Sequence, residues 1–259
     1  MIWVLDLDGV VWLADTPIPG SLEAISILRS RAERVLFLTN NSSMTVAAYL
    51  DKMATMGLQC DSEDLCTAAQ AGAALVHAGE KVLVCAGPGV VEAIEARGAL
   101  AVRENEPGVD AVVVGWHRDF DFARLTEAFR AVHAGARLIG TNDDPTYPTG
   151  DGPLPGGGSI VAAVAYASGA TPTYGGKPNE PAAQLIFERL GWGPNPDATR
   201  RASITMVGDR PSTDGGMARR LGGHFGLVLS GVVGLADLPV EPAPDFIAAD
   251  LAQLVQERA

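Results

Sequence analysis

Short apolar runs rich in β-branched residues alternate with helical patterns in the N-terminal part of the chain. The sequence predicts a strand over 2–7, a helix over 20–31, a strand over 34–39 and a helix over 44–57. In the first predicted helix, Leu22, Ile25 and Leu28 recur at the spacing of one helical face. Alternation of this kind favours parallel strands joined by right-handed crossovers.

The C-terminal part repeats the same alternation. It is predicted to contain a helix over 179–190, a strand over 202–207, a helix over 213–221, strands over 225–229 and 245–248, and a closing helix over 250–258. The two ends of the chain therefore predict an α/β fold with a doubly wound parallel sheet. A sheet of this kind binds ligands at the carboxyl ends of its strands.

The middle of the chain breaks this register and is interpreted as a second unit. Its predicted elements are strands over 81–85, 110–114 and 137–139, helices over 90–97, 122–134 and 159–168, and a Gly- and Pro-rich loop over 141–158. We therefore expect residues 79–174 to form a smaller α/β unit. It would be inserted into a core made of residues 1–78 and 175–259.

Charge narrows the classes of partner. Of the 259 residues, 19 are Lys or Arg and 31 are Asp or Glu, which gives a net charge of −12. A chain this acidic is expected to bind neither nucleic acid nor an anionic membrane surface. No apolar run approaches the ~18 residues that a membrane helix needs. An anionic ligand would require a local positive group, such as a metal ion, a lysine or a helix N-terminus.

The N-terminus and the cysteines favour a cytoplasmic location. The first residues include Asp6 and no basic segment, which is not typical of a signal peptide. The three cysteines lack C-x-x-C spacing, so a disulfide framework and a zinc site are both disfavoured.

Two acids, Asp6 and Asp8, lie where the first predicted strand ends. Residues two apart on a strand point to the same side, so the two carboxylates are expected to share one corner at the strand's carboxyl end. Two close carboxylates repel unless a cation intervenes. Oxygen ligands of this kind suit Mg²⁺. The alternative is an acidic turn without a ligand.

Two further segments could hold an anion. Residues 39–43 (Thr-Asn-Asn-Ser-Ser) end the second predicted strand and offer a hydroxyl and backbone N–H groups ahead of a helix. Their alternative role is to cap that helix. Residues 175–178 (Gly-Gly-Lys-Pro) combine flexible backbone with the positive charge of Lys177, and their alternative is a turn with a solvated lysine.

A second acid pair follows the strand predicted over 202–207. Asp209 comes two residues after that strand ends, and Asp214 comes five residues later, where a helix is predicted to begin. Acids at a helix N-terminus often act as caps only. This simpler role fits Asp214 better than Asp209.

An acid pair, a hydroxyl, a lysine and a second acid pair thus occupy four strand–loop junctions of one sheet, in this order. The order resembles the four sequence motifs of the haloacid dehalogenase-like (HAD) hydrolase superfamily, over nearly the whole chain. Residues 17–20 (Pro-Ile-Pro-Gly) and 141–144 (Thr-Asn-Asp-Asp), with Pro148 and residues 155–156 (Pro-Gly), are similar to its class IIA phosphatase subgroup. The inserted unit resembles the C2-type cap domain of that subgroup, which includes p-nitrophenylphosphatase-like enzymes.

The resemblance implies a role for each acid. Asp6 would be the nucleophile that forms an aspartyl phosphate, and Asp8 would act first as an acid and then as a base. Mg²⁺ is the implied cofactor, held by the Asp6 carboxylate, the Asp8 backbone carbonyl and Asp209. Asp214 would lie behind these ligands and orient a metal-bound water or Lys177.

The other motif residues would bind the phosphoryl group. Thr39, the Asn40 backbone and Lys177 would hold its oxygens, and Lys177 is also implied to be catalytic. The implied activity is Mg²⁺-dependent hydrolysis of a small phosphomonoester, such as a sugar phosphate, glycerol phosphate, phosphoglycolate or a nucleoside monophosphate. Dehalogenation is disfavoured because dehalogenases of this superfamily lack the second acid of the first motif.

Two other functions stay open. A phosphotransferase or phosphomutase could use the same Asp6, with transfer to a hydroxyl decided by water exclusion. A receiver-like signalling module also combines Asp, Thr and Lys around Mg²⁺, but receivers are about half this length and distribute their acids differently. The oligomeric state is also open, a homodimer being one option.

Substrate choice is expected to depend on the inserted unit. Candidate contacts, left unranked, are Arg118, Asp143, Asp144 and Tyr147. His117 is either a substrate contact or a surface histidine, since related sequences commonly carry Gly-x-Asp where this chain has Gly-Trp-His.

Overall fold

The computed structural model describes residues 1–149 and 152–258. The strands are β1 (Ile2–Leu5), β2 (Trp12–Leu13), β3 (Thr16–Pro17), β4 (Arg34–Thr39), β5 (Leu65–Thr67), β6 (Lys81–Cys85), β7 (Leu100–Val102), β8 (Ala111–Val114), β9 (Arg137–Gly140), β10 (Thr146–Thr149), β11 (Gly152–Pro155), β12 (Thr173–Tyr174), β13 (Ile204–Gly208), β14 (His224–Val228) and β15 (Phe246–Ala248). The helices are α1 (Ser21–Ser30), α2 (Val46–Thr55), α3 (Ala68–Ala73), α4 (Pro88–Ala96), α5 (Phe122–His133), α6 (Gly157–Ser168), α7 (Glu180–Arg189), α8 (Ala198–Ala202), α9 (Gly216–Leu221) and α10 (Leu251–Glu257). Within the described ranges, no helix combines the length and apolar character needed to cross a membrane.

Six parallel strands form the core sheet, in the order β15-β14-β13-β1-β4-β5. Strand β1 lies in the middle, with Leu5 paired to Val207 of β13 on one side and to Phe37 of β4 on the other. Strands β4 and β5 lie on one side of β1, and β13, β14 and β15 lie on the other, so the strand order reverses at β1. That reversal opens a crevice at the carboxyl end of β1, where ligands bind in open α/β sheets.

Helices cover both faces of the core sheet. Because side chains alternate along β1, Trp3 and Leu5 contribute to the apolar layer that includes α1, α2 and α10. Val4 contributes to the opposite layer, with α7 and α9. All three side chains are fully buried, so the central strand is apolar on both faces and its polar residues lie beyond its end.

A second parallel sheet, here called the inserted sheet, has the order β12-β9-β8-β6-β7. Its two apolar layers include α3 and α4 on one face and α5 and α6 on the other. The inserted sheet with α4, α5 and α6 is called the inserted unit below. The predicted fold class, a doubly wound parallel sheet with an inserted α/β unit, is confirmed. The limits predicted for the inserted unit, 79 and 174, stay a prediction.

The first strand is shorter than predicted, ending at Leu5 and not at residue 7. The reason is a tight turn: the Leu7 carbonyl accepts hydrogen bonds from the backbone N–H groups of Val10, Val11 and Trp12. The ladder with β13 therefore reaches no further than the Asp6 N–H, which donates to the Val207 carbonyl.

The loop predicted over 141–158 was the largest error in secondary structure. It contains the antiparallel hairpin β10–β11, with Tyr147 opposite Leu154, and α6 begins at Gly157 instead of residue 159. Proline is disfavoured in central strands but tolerated in an isolated two-stranded ribbon, which explains why Pro148 and Pro153 misled the prediction. Residues 150 and 151 of the predicted loop lie outside the described residues.

The other predicted strands and helices are present, with ends that differ by at most a few residues. The pattern did not predict α3, α8 or the short strands β2, β3, β5, β7 and β12. Elements of two to six residues are too short for a clear apolar period, so their sequence gives little signal.

Candidate active site

The acids of the first motif are fixed by the turn that follows β1. Asp6 is 8% exposed, and its backbone N–H donates to the Val207 carbonyl at 2.9 Å. Its Oδ1 accepts a hydrogen bond from the Leu7 N–H at 2.8 Å. Asp8 Oδ1 accepts a hydrogen bond from Trp12 Nε1 at 3.1 Å. Both carboxylates line one cleft, which Asp8 reaches through the turn and not through strand alternation.

Lys177 is a buried cation between two carboxylates. It is 1% exposed, and its Nζ lies 2.7 Å from Asp6 Oδ1 and 2.8 Å from Asp214 Oδ1. Its backbone N–H donates to Asn40 Oδ1 at 2.8 Å, which fixes the loop that carries it. The alternative of a solvated lysine in a turn is therefore wrong.

The Asp209 and Asp214 carboxylates pack so closely against three glycines that no larger residue would fit in place of any of them. A Cβ at Gly208 would lie 2.1 Å from the Asp214 carboxylate. A Cβ at Gly9 or Gly231 would lie 2.3 Å or 1.9 Å from Asp209 Oδ2. Gly9 also has a φ of +84°, a left-handed conformation that favours glycine. These glycines allow three loops to converge on the two acids.

Backbone donors hold the second acid pair in place. Asp209 Oδ2 accepts a hydrogen bond from the Val232 N–H at 2.7 Å. Asp214 lies in a π-helical turn over Pro211–Gly215, and its Oδ2 accepts from the Arg210 N–H at 3.0 Å. The other oxygen of Asp214 binds the buried lysine. Asp214 is therefore more than a helix cap, because it also positions the only positive side chain in contact with Asp6 among the described residues.

The electrostatics of this cluster call for a further positive charge. Burial, followed by the nearby Asp214 carboxylate, raises the pKa of Asp209 to about 6. Burial also raises the pKa of Asp6 well above its ordinary value, although Lys177 opposes this. For Lys177, burial disfavours the charged form, but the carboxylates of Asp214 and Asp6 outweigh it and raise its pKa. One lysine thus faces three buried carboxylates.

The arrangement fits a divalent cation. One oxygen from each of Asp6, Asp209 and Asp214 lies within 4.8 Å of the others. Carboxylate oxygens are the ligands that a hard ion such as Mg²⁺ prefers. Since both oxygens of Asp214 are engaged by other groups, Asp6 and Asp209 are better suited to direct coordination than Asp214 is.

The loop after β4 brings Asn40 and Asn41 to the same cleft, whereas Thr39, at the end of β4, is not among the residues described as lining it. Thr39 is 2% exposed, and its Oγ1 accepts a hydrogen bond from the Asn41 N–H at 3.1 Å. The Asn40 carbonyl accepts from Asn142 Nδ2 at 2.6 Å. Helix α2 is capped by Thr45, whose side chain accepts a hydrogen bond from the Ala48 N–H. Residues 39–43 are therefore not the cap of that helix.

The cleft encloses about 570 Å³, its open mouth included. On the core side it is lined by Asp6, Asp8, Asn40, Asn41, Lys177, Asp209, Arg210, Thr213 and Val232. On the side of the inserted unit it is lined by Trp116, Asn142, Asp144, Thr146, Tyr147, Gly156 and Gly157. Charged groups therefore form its floor, and two aromatic rings stand opposite them.

Trp116 is a cleft residue that the sequence analysis missed. Its ring centroid lies 5.1 Å from that of Tyr147, and its Nε1 donates to the Pro155 carbonyl at 3.1 Å. The available signal was its position directly after a predicted strand and a glycine. The indole N–H is already satisfied, so Trp116 offers the cleft a ring surface.

Asp144 joins the inserted unit to the core. Its Oδ2 accepts a hydrogen bond from Asn40 Nδ2 at 2.9 Å, and its Oδ1 lies 3.6 Å from the Arg210 guanidinium. Asp144 and Tyr147 are the two substrate-contact candidates that line the cleft; Asp143 and Arg118 are exposed, and they are not among its described lining residues.

His117 is not a surface histidine. It is 6% exposed, its Nδ1 lies 2.8 Å from the Gly115 carbonyl, and its Nε2 lies 3.9 Å from Cys85 Sγ. Its ring meets Phe120 edge-on. His117 is packed behind the segment that carries Trp116, and it is not among the described residues that line the cleft.

Family models match the N-terminal and C-terminal parts of the chain, and a known protein matches nearly all of it. Residues 3–99 match the family described as Haloacid dehalogenase-like hydrolase, and residues 174–254 match one described as HAD-hydrolase-like. The chain is 36% identical to the D-glycerol 3-phosphate phosphatase of Mycobacterium tuberculosis, over 98% of this chain and 70% of that protein.

Solved structures agree with the sequence matches. A p-nitrophenyl phosphatase from Archaeoglobus fulgidus superimposes with a TM-score of 0.89 at 28% identity, covering 99% of this chain and 98% of the other. A glycerol phosphate phosphatase from Mycobacterium tuberculosis, in complex with magnesium, superimposes with a TM-score of 0.86 at 33% identity, covering 98% and 75%. The chain therefore belongs to the haloacid dehalogenase-like hydrolases, within the class IIA phosphatases that carry an inserted cap domain.

Proposed function

We propose that this phosphatase is a Mg²⁺-dependent phosphomonoester hydrolase that works through a phosphoryl group carried on Asp6. The observation that carries the proposal is the 2.7 Å contact between Lys177 Nζ and Asp6 Oδ1, with Asp214 holding the lysine from behind. The buried Lys177 ammonium opposes the effect of burial on the pKa of Asp6 and fixes the orientation of its carboxylate, which a nucleophile requires.

In the first half-reaction, an Asp6 oxygen attacks phosphorus and the bond from phosphorus to the ester oxygen breaks. Asp8 donates its proton to that oxygen, and the alcohol leaves. Thr39, the Asn40 backbone and Lys177 bind the phosphoryl oxygens and hold the group in line. Burial raises the pKa of Asp8, which supports a protonated acid at this stage.

In the second half-reaction, Asp8 has lost its proton and acts as a base. It takes a proton from a water molecule whose oxygen attacks phosphorus. The bond between phosphorus and the Asp6 oxygen breaks, inorganic phosphate leaves, and the Asp6 carboxylate is regenerated. Both half-reactions use the same two side chains because the acid and the nucleophile line one cleft.

The metal would be held by the Asp6 carboxylate, the Asp8 backbone carbonyl and Asp209, with Asp214 set behind them on Lys177. When bound, Mg²⁺ neutralises the charge that gathers on the phosphoryl oxygens. Burial and the neighbouring Asp214 carboxylate raise the pKa of Asp209 to about 6, so its ionised form would gain from a nearby cation, which supports this assignment. The magnesium complex of the mycobacterial relative supports it as well.

The substrate proposed is a small phosphorylated metabolite: a sugar phosphate, glycerol phosphate, phosphoglycolate or a nucleoside monophosphate. The cleft is lined by both the core and the inserted unit, an arrangement that suits a compact leaving group. Relatives named for glycerol phosphate and p-nitrophenyl phosphate support the same class. Trp116, Tyr147 and Asp144 would contact the leaving group.

The same proposal treats residues 79–174 as a lid over the core. The link between Asn142 Nδ2 and the Asn40 carbonyl, at 2.6 Å, and the 3.6 Å pair between Arg210 and Asp144 support a closed arrangement. Both contacts are polar and can be exchanged for water when the lid opens. Such motions occur on the microsecond-to-millisecond scale.

The test is release of inorganic phosphate from a panel of phosphomonoesters, with Mg²⁺ and with excess EDTA. Hydrolysis predicts one phosphate for each alcohol produced, and loss of turnover in EDTA. Alcohol release without matching phosphate, in the presence of a second alcohol, would instead identify a phosphotransferase. Full turnover in EDTA would contradict the metal assignment.

A further inference from the structure

A tryptophan sits beside the proposed acid of the reaction. Trp12 is 1% exposed and lies in the apolar layer on one face of the core sheet. Its Nε1–H donates to Asp8 Oδ1 at 3.1 Å. Among the described residues, Trp12 is the one hydrogen-bond partner of the Asp8 side chain. The Asp8 carboxylate lines the cleft. A single donor therefore determines which way the carboxylate points.

The backbone of Trp12 is fixed within the turn that carries Asp8. The Trp12 N–H donates to the Leu7 carbonyl at 3.1 Å, and its carbonyl accepts from the Gly9 N–H at 2.7 Å. Trp12 also pairs with Pro17 in the β2–β3 hairpin. The turn that carries Asp8 thus includes the residue that holds it.

Lys52 closes the outer side of the ring. Its Nζ lies 4.9 Å from the centroid of the Trp12 ring, a cation–π contact. The same Nζ donates to the Ala14 carbonyl at 2.7 Å and lies 3.0 Å from Asp15 Oδ1. Core packing on one side and a tethered cation on the other leave the indole little freedom to rotate.

We propose that Trp12 is a positioning residue for the proposed acid: its indole N–H holds Asp8 Oδ1 so that the other carboxylate oxygen faces the ester oxygen of the substrate. This inference rests on the proposed function, in which Asp8 protonates the departing alcohol. Proton transfer requires hydrogen-bond distance to the leaving oxygen, so an unheld carboxylate would meet it only part of the time.

The dependence on the leaving group separates this role from simple core packing. p-Nitrophenolate is a stable anion that can leave without a proton, whereas an alkoxide such as that of glycerol needs one. A variant that misdirects Asp8 should therefore lose more kcat/KM with glycerol phosphate than with p-nitrophenyl phosphate. Loss of folded protein would lower both values equally and leave their ratio unchanged.

The test measures both kcat/KM values, with Mg²⁺, in the wild type, Trp12→Phe, Asp8→Asn and Trp192→Phe. Trp12→Phe keeps an aromatic ring and removes the N–H. We expect the ratio of glycerol phosphate to p-nitrophenyl phosphate to fall by about tenfold, the scale of one lost hydrogen bond to a charged group. Asp8→Asn should move the ratio in the same direction and further. Trp192, which lies beyond the end of α7 and packs on Phe187, is the matched control and should leave the ratio unchanged.

A second readout does not depend on turnover. The chain has four tryptophans, so its indole N–H groups give four NMR signals, and Trp12→Phe assigns the one that belongs to Trp12. That signal should move in Asp8→Asn, because its acceptor has changed. An unchanged ratio in Trp12→Phe, or an unmoved indole signal in Asp8→Asn, would overturn the role of Trp12. A wild-type protein inactive on both esters would overturn the proposed function instead, and the NMR result would still report on the contact.

Discussion

The core sheet and the inserted sheet are built alike, from parallel strands with helices on both faces, but their strand ends differ. In the core sheet, β1 and β13 are followed at once by Asp6 and Asp209, and β4 ends in Thr39. In the inserted sheet, β8 is followed by Gly115 and β6 by an alanine and a glycine. Two strand ends of the inserted sheet thus present bare backbone, whereas β9 is followed by a polar segment, residues 141–144, that hydrogen-bonds to the core.

The glycines after β6 and β8 allow close packing against the loop after β4. A Cβ at Gly115 would lie 2.7 Å from Ser42 Oγ, and one at Gly87 would lie 2.6 Å from the Ser43 carbonyl oxygen. The glycines let the inserted unit approach the loop after β4, which closes the cleft over the acids. This fold alone therefore does not determine chemistry; the residues at its strand ends do.

Asp6→Asn should give the largest effect, because it removes the proposed nucleophile from the core sheet. We expect kcat to fall by at least ~10³, the scale of an essential catalytic group. The measurement is phosphate release with Mg²⁺, and Asp51→Asn, at an exposed site on α2, is the control. Turnover near the wild-type rate would contradict the assignment of the chemistry to the core.

Lys177→Met should destabilise the protein strongly. It would leave the Asp6 and Asp214 carboxylates buried and without their partner, a change that costs ~3–5 kcal/mol in comparable buried pairs. Urea unfolding measures this directly. Lys81→Met removes a more exposed pair with Glu106 and should cost no more than about 1 kcal/mol. Equal losses in the two variants would mean that Lys177 is not the electrostatic centre described above.

Gly89→Ala probes the docking of the inserted unit. A Cβ at Gly89 would lie 2.1 Å from the Met44 carbonyl oxygen and 2.9 Å from that of Ser42, so backbone would have to move. We expect a loss of about 1–3 kcal/mol in unfolding free energy, as for other overpacked sites. Gly193→Ala is the control, since a Cβ there would meet no atom within 4 Å. A Gly89 variant as stable as this control would show that the close approach is not required.

His117→Gln should give the smallest effect, a change in how stability depends on pH. Burial lowers the pKa of His117 below its ordinary value of 6.5. As pH falls through 6.5, the unfolded chain gains the proton before the folded protein does. The contribution of His117 is therefore present above pH 6.5 and is lost as pH falls through the lower folded value.

The variant should flatten this fall in melting temperature below pH 6.5. His77→Gln, at an exposed position, should leave the fall as it is in the wild type. A steeper fall in His117→Gln would reverse the sign and contradict the account.

The sequence predicted the parts of the site that combine a residue type with a strand end. Asp6, Asp8, Lys177 and Asp209 were each named from chemistry and position, and the structure brings them to one cleft. The three acids follow apolar strands, whose pattern is a clear signal in a sequence. Lys177 instead follows β12, a two-residue strand of the inserted sheet that the pattern did not predict.

The parts that the sequence did not predict depend on contacts between distant segments. Asp144 could not be ranked among the candidates because its partner Asn40 is 104 residues away. Tryptophans such as Trp12 and Trp116 are indistinguishable from core residues in a sequence pattern. The role proposed for Trp12 depends on where its indole N–H points, and that of Trp116 depends on where its ring face points. The hairpin β10–β11 was missed because its prolines are tolerated only in an isolated ribbon.

The measurement that tests the central claim most directly is the detection of a phosphoryl group on Asp6 during turnover. Wild-type protein would be mixed with p-nitrophenyl phosphate and Mg²⁺, quenched with acid within the first turnover, and mapped by mass spectrometry of its peptides. The account predicts a phosphoryl group on the peptide containing Asp6, at the aspartate itself, and none there in Asp6→Asn. A phosphoryl group on another side chain, or the same turnover without any phosphorylated peptide, would contradict it.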